Sequence, residues 1–134
     1  MKVGDIFRKT LHNGTPIGGF LRVIKIEGGC VEARNLIGIQ RKTTFYHKRY
    51  EVAKIKKMPI THPVWERINS GQQIAIIHDA TPMWENMLKE CPELVEIRDV
   101  TYPQKRMVFI VDQIGPWWDR RTRQIRLTLG TRIE

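Results

Sequence analysis

Cysteine is scarce in this chain, and long apolar runs are absent. Only Cys30 and Cys91 occur in 134 residues, far apart and outside any CxxC. That spacing signals neither a disulfide framework nor a zinc knuckle. No apolar stretch reaches the roughly 18 residues a membrane helix needs. The start, MKVGDIFRKT, carries no hydrophobic segment of the signal-peptide kind, so a soluble cytoplasmic chain with no membrane partner is expected. Catalytic signatures are missing too. His12, His47, His62 and His78 show no HExxH or comparable ligand spacing, and neither GxSxG nor a P-loop appears. No catalytic residue, metal or cofactor is therefore assigned from sequence, and enzymatic activity is not expected. The chain is 41% hydrophobic, which is enough to build a core and sets it apart from disordered chains.

Acidic residues are also few. Fourteen Asp and Glu face 23 Lys and Arg, a net charge of +9. Residues 1–60 hold thirteen bases and four acids, so that stretch alone accounts for the +9. Residues 61–99 are acidic, with three bases and seven acids, and residues 100–134 are basic again, with seven and three. A lopsided balance of this kind fits one polyanion-binding lobe beside a lobe with another task, and equally a solvated basic face.

The first 58 residues read as strands. Residues 3–9, 20–27, 30–36 and 43–50 are rich in β-branched, aromatic and apolar residues, and a short fifth strand is expected at Val52–Ile55. HNGTPIGG, between the first two, reads as a long flexible connection. Gly28-Gly29 marks a tight hairpin, since both positions of such a turn require positive φ. The segment FLRVIKIEGGCVEARN, a strand, a Gly-containing turn and a second strand, resembles the SH3-like barrels of the KOW and Tudor kind. Arg22 or Val23 stands where the KOW pattern places a glycine. The resemblance implies a small barrel that binds nucleic acids, ribosomes, polymerases or methylated peptides.

Pro59 and Pro63 in MPITHP suggest a linker at 59–63, dividing a barrel lobe, 1–58, from a second lobe, 64–134. In that lobe a short helical turn is expected from His62 to about Ser70, followed by a strand at 73–78. Thr81 and Pro82 open the main helix, which Pro92 ends. Met83, Trp84, Met87, Leu88 and Cys91 line one face of it at helical spacing. Strands follow at 94–102 and 106–114, then an alternating one at 124–129. The fold class expected is α+β: an SH3-like small β-barrel followed by a small mixed sheet with one main helix.

Basic and aromatic residues interleave in two places, a composition suited to phosphate contact and base stacking. One runs from Arg41 and Lys42 through Tyr46, Lys48 and Arg49 to Lys54, Lys56 and Lys57. The other holds Trp118, Arg120, Arg121, Arg123 and Arg126. The same residues also suit edge-strand protection and cation–π packing. Two acid–base groupings are weighed against this. His78-Asp79 at a strand end reads more readily as a turn and a cap. Glu96, Asp99 and Asp112 could converge on neighbouring strands, but without the lysine that metal-dependent nuclease chemistry wants. The expectation is a non-enzymatic nucleic-acid-binding protein, DNA or RNA, using the basic barrel and the Arg/Trp segment. The alternative is a small phage or mobile-element protein that docks on a host protein complex and modulates it.

Overall fold

A computed structural model describes residues 1–37, 42–46, 49–118 and 123–134, with the side chains of 42–46, Trp117 and Trp118 outside the description. The chain divides into two compact units, Met1–Ala53 and Lys54–Glu134.

The first unit is a five-stranded antiparallel sheet in the order β4-β3-β2-β1-β5. Its strands are β1 (Ile6–Thr10), β2 (Pro16–Glu27), β3 (Cys30–Asn35), β4 (Lys42–Tyr46) and β5 (Tyr50–Val52). Phe7, Leu21, Val23, Val31 and Ala33 alternate onto one face and form a small buried cluster. The hairpin between β2 and β3 turns at Gly28 and Gly29, with φ of 55° and 78°, where a side chain on either residue would be strained. The stretch before β2 is a tight turn instead of the long connection expected. Leu11 N–H donates to Thr15 O at 2.8 Å, Gly14 N–H to Leu11 O at 2.9 Å, and pairing resumes at Thr10–Pro16.

The second unit contains a five-stranded sheet in the order β6-β8-β9-β10-β7 and two helices. It runs β6 (Ile55–Ile60), α1 (His62–Asn69), β7 (Ala75–Asp79), α2 (Pro82–Glu90), β8 (Leu94–Asp99), β9 (Arg106–Trp118) and β10 (Arg123–Arg132). β6 pairs parallel with β8 and the rest are antiparallel. Trp65 and Ile68 of α1, and Trp84 and Met87 of α2, pack with Val95, Ile97, Met107, Ile125 and Leu127 of the sheet. A Thr81 cap and Pro82 in the first turn start α2 as expected, and Cys91 ends it in the left-handed region at φ 47°.

The α+β expectation is corrected here. Strand makes up 55% of the chain and helix 15%, in two sheets, so the protein is mostly β. Among the described residues no single helix dominates, since α1 has eight residues and α2 nine. The stretch 59–63, expected as a linker, holds the end of β6 and the start of α1. Lys56 to Ile60 pair residue by residue with Val95 to Asp99, and Pro59 is tolerated because β6 is an edge strand. Pro63 sits in the first turn of α1, where its missing N–H costs nothing.

Candidate nucleic-acid interface

The sheet of the first unit has a pair of arginines on the face opposite its apolar cluster. Arg22 of β2 pairs with Arg34 of β3, and Arg34 pairs in turn with Lys42 of β4. Directly paired residues share a face, at about 4.7–4.9 Å per strand step. Arg22 and Arg34 thus stand side by side, with Lys42 next in register. A bulge creates this alignment. From the Gly28-Gly29 turn the pairing runs Glu27–Cys30, Ile26–Val31 and Lys25–Glu32, then slips by one at Ile24 so that Val23 meets Ala33. Without the slip, Arg34 would oppose Val23 and belong to the other face. Arg34 is exposed, while Arg22 is half-buried and donates through Nη1 to Gly4 O at 2.6 Å. Arg8 lies nearby, its guanidinium 4.7 Å from the centroid of buried Phe20 and its register partner Glu51. Two acidic residues of this face lie at the hairpin end, where Lys25 bonds Glu27 at 2.8 Å and stands opposite Glu32, while Glu51 lies on β5 opposite Arg8.

The residues singled out from sequence fare unevenly. Arg41, Lys48, Arg120 and Arg121 lie outside the described residues, as do the side chains of Lys42, Tyr46 and Trp118. Arg49 is exposed just before β5. Lys54, Lys56 and Lys57 do not form one patch. Lys56 shares a face of β6 with buried Met58 and Ile60, Lys57 points to the opposite face, and Lys54 precedes the strand. Arg123 is bound at 3.0 Å to Glu85 of α2. Arg126 faces away from Ile125 and Leu127, which are in the core. Arg22 and Arg34 escaped the sequence reading because their alignment depends on the bulge.

A second polar constellation sits at the C-terminal ends of the parallel pair β6 and β8. Asp99, the last residue of β8, is fully buried, and its Oδ2 lies 2.5 Å from Nδ1 of His62 in the first turn of α1. Its Oδ1 accepts the N–H groups of Thr101 at 2.8 Å and Tyr102 at 3.3 Å. Burial pushes the Asp99 carboxyl up, but the bonds from His62 and the two amides, with the charge of His62, outweigh it and hold the pKa below its ordinary value. Nε2 of His62 faces Glu66 at 3.4 Å, and Tyr102 packs edge-on against the imidazole. The arrangement clamps the first turn of α1 to the end of β8. Glu96 and Asp99 do not converge: three apart on one strand, they occupy opposite faces. His78 stacks on Trp84 with centroids 5.2 Å apart, and its Nδ1 contacts the Asp79 carbonyl, not its carboxylate. Among the described residues no group of three His, Cys, Asp or Glu could hold a metal ion. No helix among them is long and apolar enough to cross a membrane.

Compared with known proteins, the chain matches no family model, no curated protein and no solved structure.

Proposed function

We propose that the protein is a non-enzymatic nucleic-acid-binding protein whose first unit supplies the principal phosphate-contacting surface. The observation that carries this reading is the register Arg22–Arg34–Lys42. Like charges placed directly opposite destabilise a sheet. The directly paired Arg22 and Arg34 are an unfavourable arrangement that a bound polyanion turns into a favourable one. The first unit carries ten Lys or Arg against four acids, so its field attracts phosphates well beyond the pair itself.

The test is fluorescence anisotropy of the full chain with labelled duplex DNA, single-stranded DNA and RNA across a salt series. Micromolar affinity with a log–log salt slope of several units is expected, and the preferred strand type defines the ligand. Affinity for all three ligands that vanishes at physiological salt overturns the proposal.

A further inference from the structure

We infer that the gap between strands β6 and β7 is a slot for an extended peptide segment of a partner protein. The segment adds as a strand to the free edge of β7, sinks alternate apolar side chains into the cleft and sets an acidic residue against Arg67. β6 and β7 are the two edges of one sheet, yet both border a single cleft of about 430 Å³, within the usual range for ligand sites. On β6 the lining residues are the consecutive Met58, Pro59 and Ile60, and on β7 the consecutive Ile76, Ile77 and His78. Successive residues of a strand point to opposite faces, so three in a row can line one cleft only if it runs along the strand's edge. The sheet therefore curls until its two edges face each other across an unfilled gap. Val64, Met83 and Trp84 from the helices add apolar lining.

The free edge of β7 is open at its centre. Ala80 N–H donates to Arg123 O at 3.2 Å and Leu129 N–H to Ile74 O at 2.8 Å, so the even-numbered residues of β7 bond to β10 and the odd-numbered ones face the gap. The carbonyl of Ala75 is taken by the Gln73 side chain at 2.7 Å, and that of Asp79 by Thr81 N–H at 2.7 Å. Between them the N–H and carbonyl of Ile77 have no partner among the described residues and remain for a partner strand, on a residue that is 45% exposed. The two edges are also guarded differently. β6 carries Lys56, Lys57 and Pro59, residues that blunt an edge, whereas Ala75-Ile76-Ile77 carries none. Strand addition thus falls to β7. The acidic preference follows from Arg67 at the rim. Its Nε donates to Gln73 at 3.0 Å, which fixes the guanidinium at the cleft and leaves the fork's terminal nitrogens for a carboxylate.

The test pans a displayed library of random decapeptides on the immobilised full chain, then measures anisotropy with a labelled selected peptide. Expected are peptides with apolar residues at i and i+2 and a nearby Asp or Glu. Affinity should fall at least tenfold for Arg67→Glu and return when the peptide acid is changed to Lys. It should also fall at least tenfold for Ile77→Pro, which removes the outward N–H together with the Ile77 side chain that lines the cleft. A scan of N-methylated peptides, which needs no protein variant, should lose binding at every second position, the period of a paired strand. Failure to enrich any peptide overturns the inference, as does a selected peptide indifferent to Arg67→Glu, an N-methyl scan without alternation, or a self-associated chain whose cleft is filled by a second copy.

Discussion

His62 and Asp99 stand 37 residues apart in the chain and are joined at 2.5 Å between Nδ1 and Oδ2. The contact links the strand–helix junction after β6 to the end of β8, so it closes the parallel pair at the point where both strands leave the sheet. Asp99 cannot reach water and has three donors, one from the imidazole and two from the backbone of the following turn.

Stability should therefore fall in acid through Asp99. A carboxyl whose pKa is lower folded than unfolded contributes stability above its unfolded value, near 3.8, and loses it as the pH drops through the folded value. Asp99→Asn should lower the urea midpoint at neutral pH, and the gap to the native chain should narrow below about pH 4. Urea titrations of both proteins across this range check it. A gap that stays constant with pH contradicts the assignment.

Arg34→Glu should separate stability from binding. Replacing one member of the Arg22–Arg34 pair with the opposite charge removes a repulsion and creates an attraction, a gain of roughly 0.2–1 kcal/mol for a cross-strand pair. The same change should weaken nucleic-acid binding and lower the magnitude of the salt slope by about one for each phosphate that Arg34 neutralises in the native chain. Thermal melts and salt-dependent anisotropy on one protein preparation check both halves. A variant that is more stable and binds as well as the native chain would rule out Arg34 as a phosphate contact.

Much of this architecture is legible in local chemistry. Gly28-Gly29 fixes a hairpin because few other residues adopt its dihedrals, and Thr81-Pro82 marks a helix start because cap and ring both suit one. What escapes reading is set by pairing across the fold. The slip at Ile24 has no signature in FLRVIKIE, yet it decides which face Arg34 joins. Pro59 argues against a strand unless that strand is known to lie at an edge, and edge position is a property of the whole sheet. The His62–Asp99 contact joins residues that no spacing rule relates.

Gly130 should resist substitution for a steric reason. A Cβ there would sit 2.9 Å from the carbonyl oxygen of Ile110 on the neighbouring strand, closer than side-chain carbons approach backbone. The site lies where the β9–β10 register shifts between Leu129 and Arg132, so relief requires moving one strand against another. Gly130→Ala should cost about 1–3 kcal/mol, the usual penalty for overpacking. Chemical denaturation checks this.

Cys91 offers the opposite case. It ends α2 in the left-handed region at φ 47°, which costs an L residue roughly 1–2 kcal/mol and a glycine almost nothing. Its backbone N–H bonds Met87 O, which glycine retains, and its exposed thiol donates to the Leu88 carbonyl at 3.2 Å. Glycine also gives the unfolded chain more freedom, which offsets part of the gain. The net effect of Cys91→Gly should be stabilising by a few tenths to about 1 kcal/mol, whereas Cys91→Val, β-branched at the same φ, should be destabilising. Comparing the two midpoints isolates the dihedral, because both changes remove the thiol and only one relieves the backbone. If both variants shift the same way, the thiol contact and not the left-handed cap governs the end of α2.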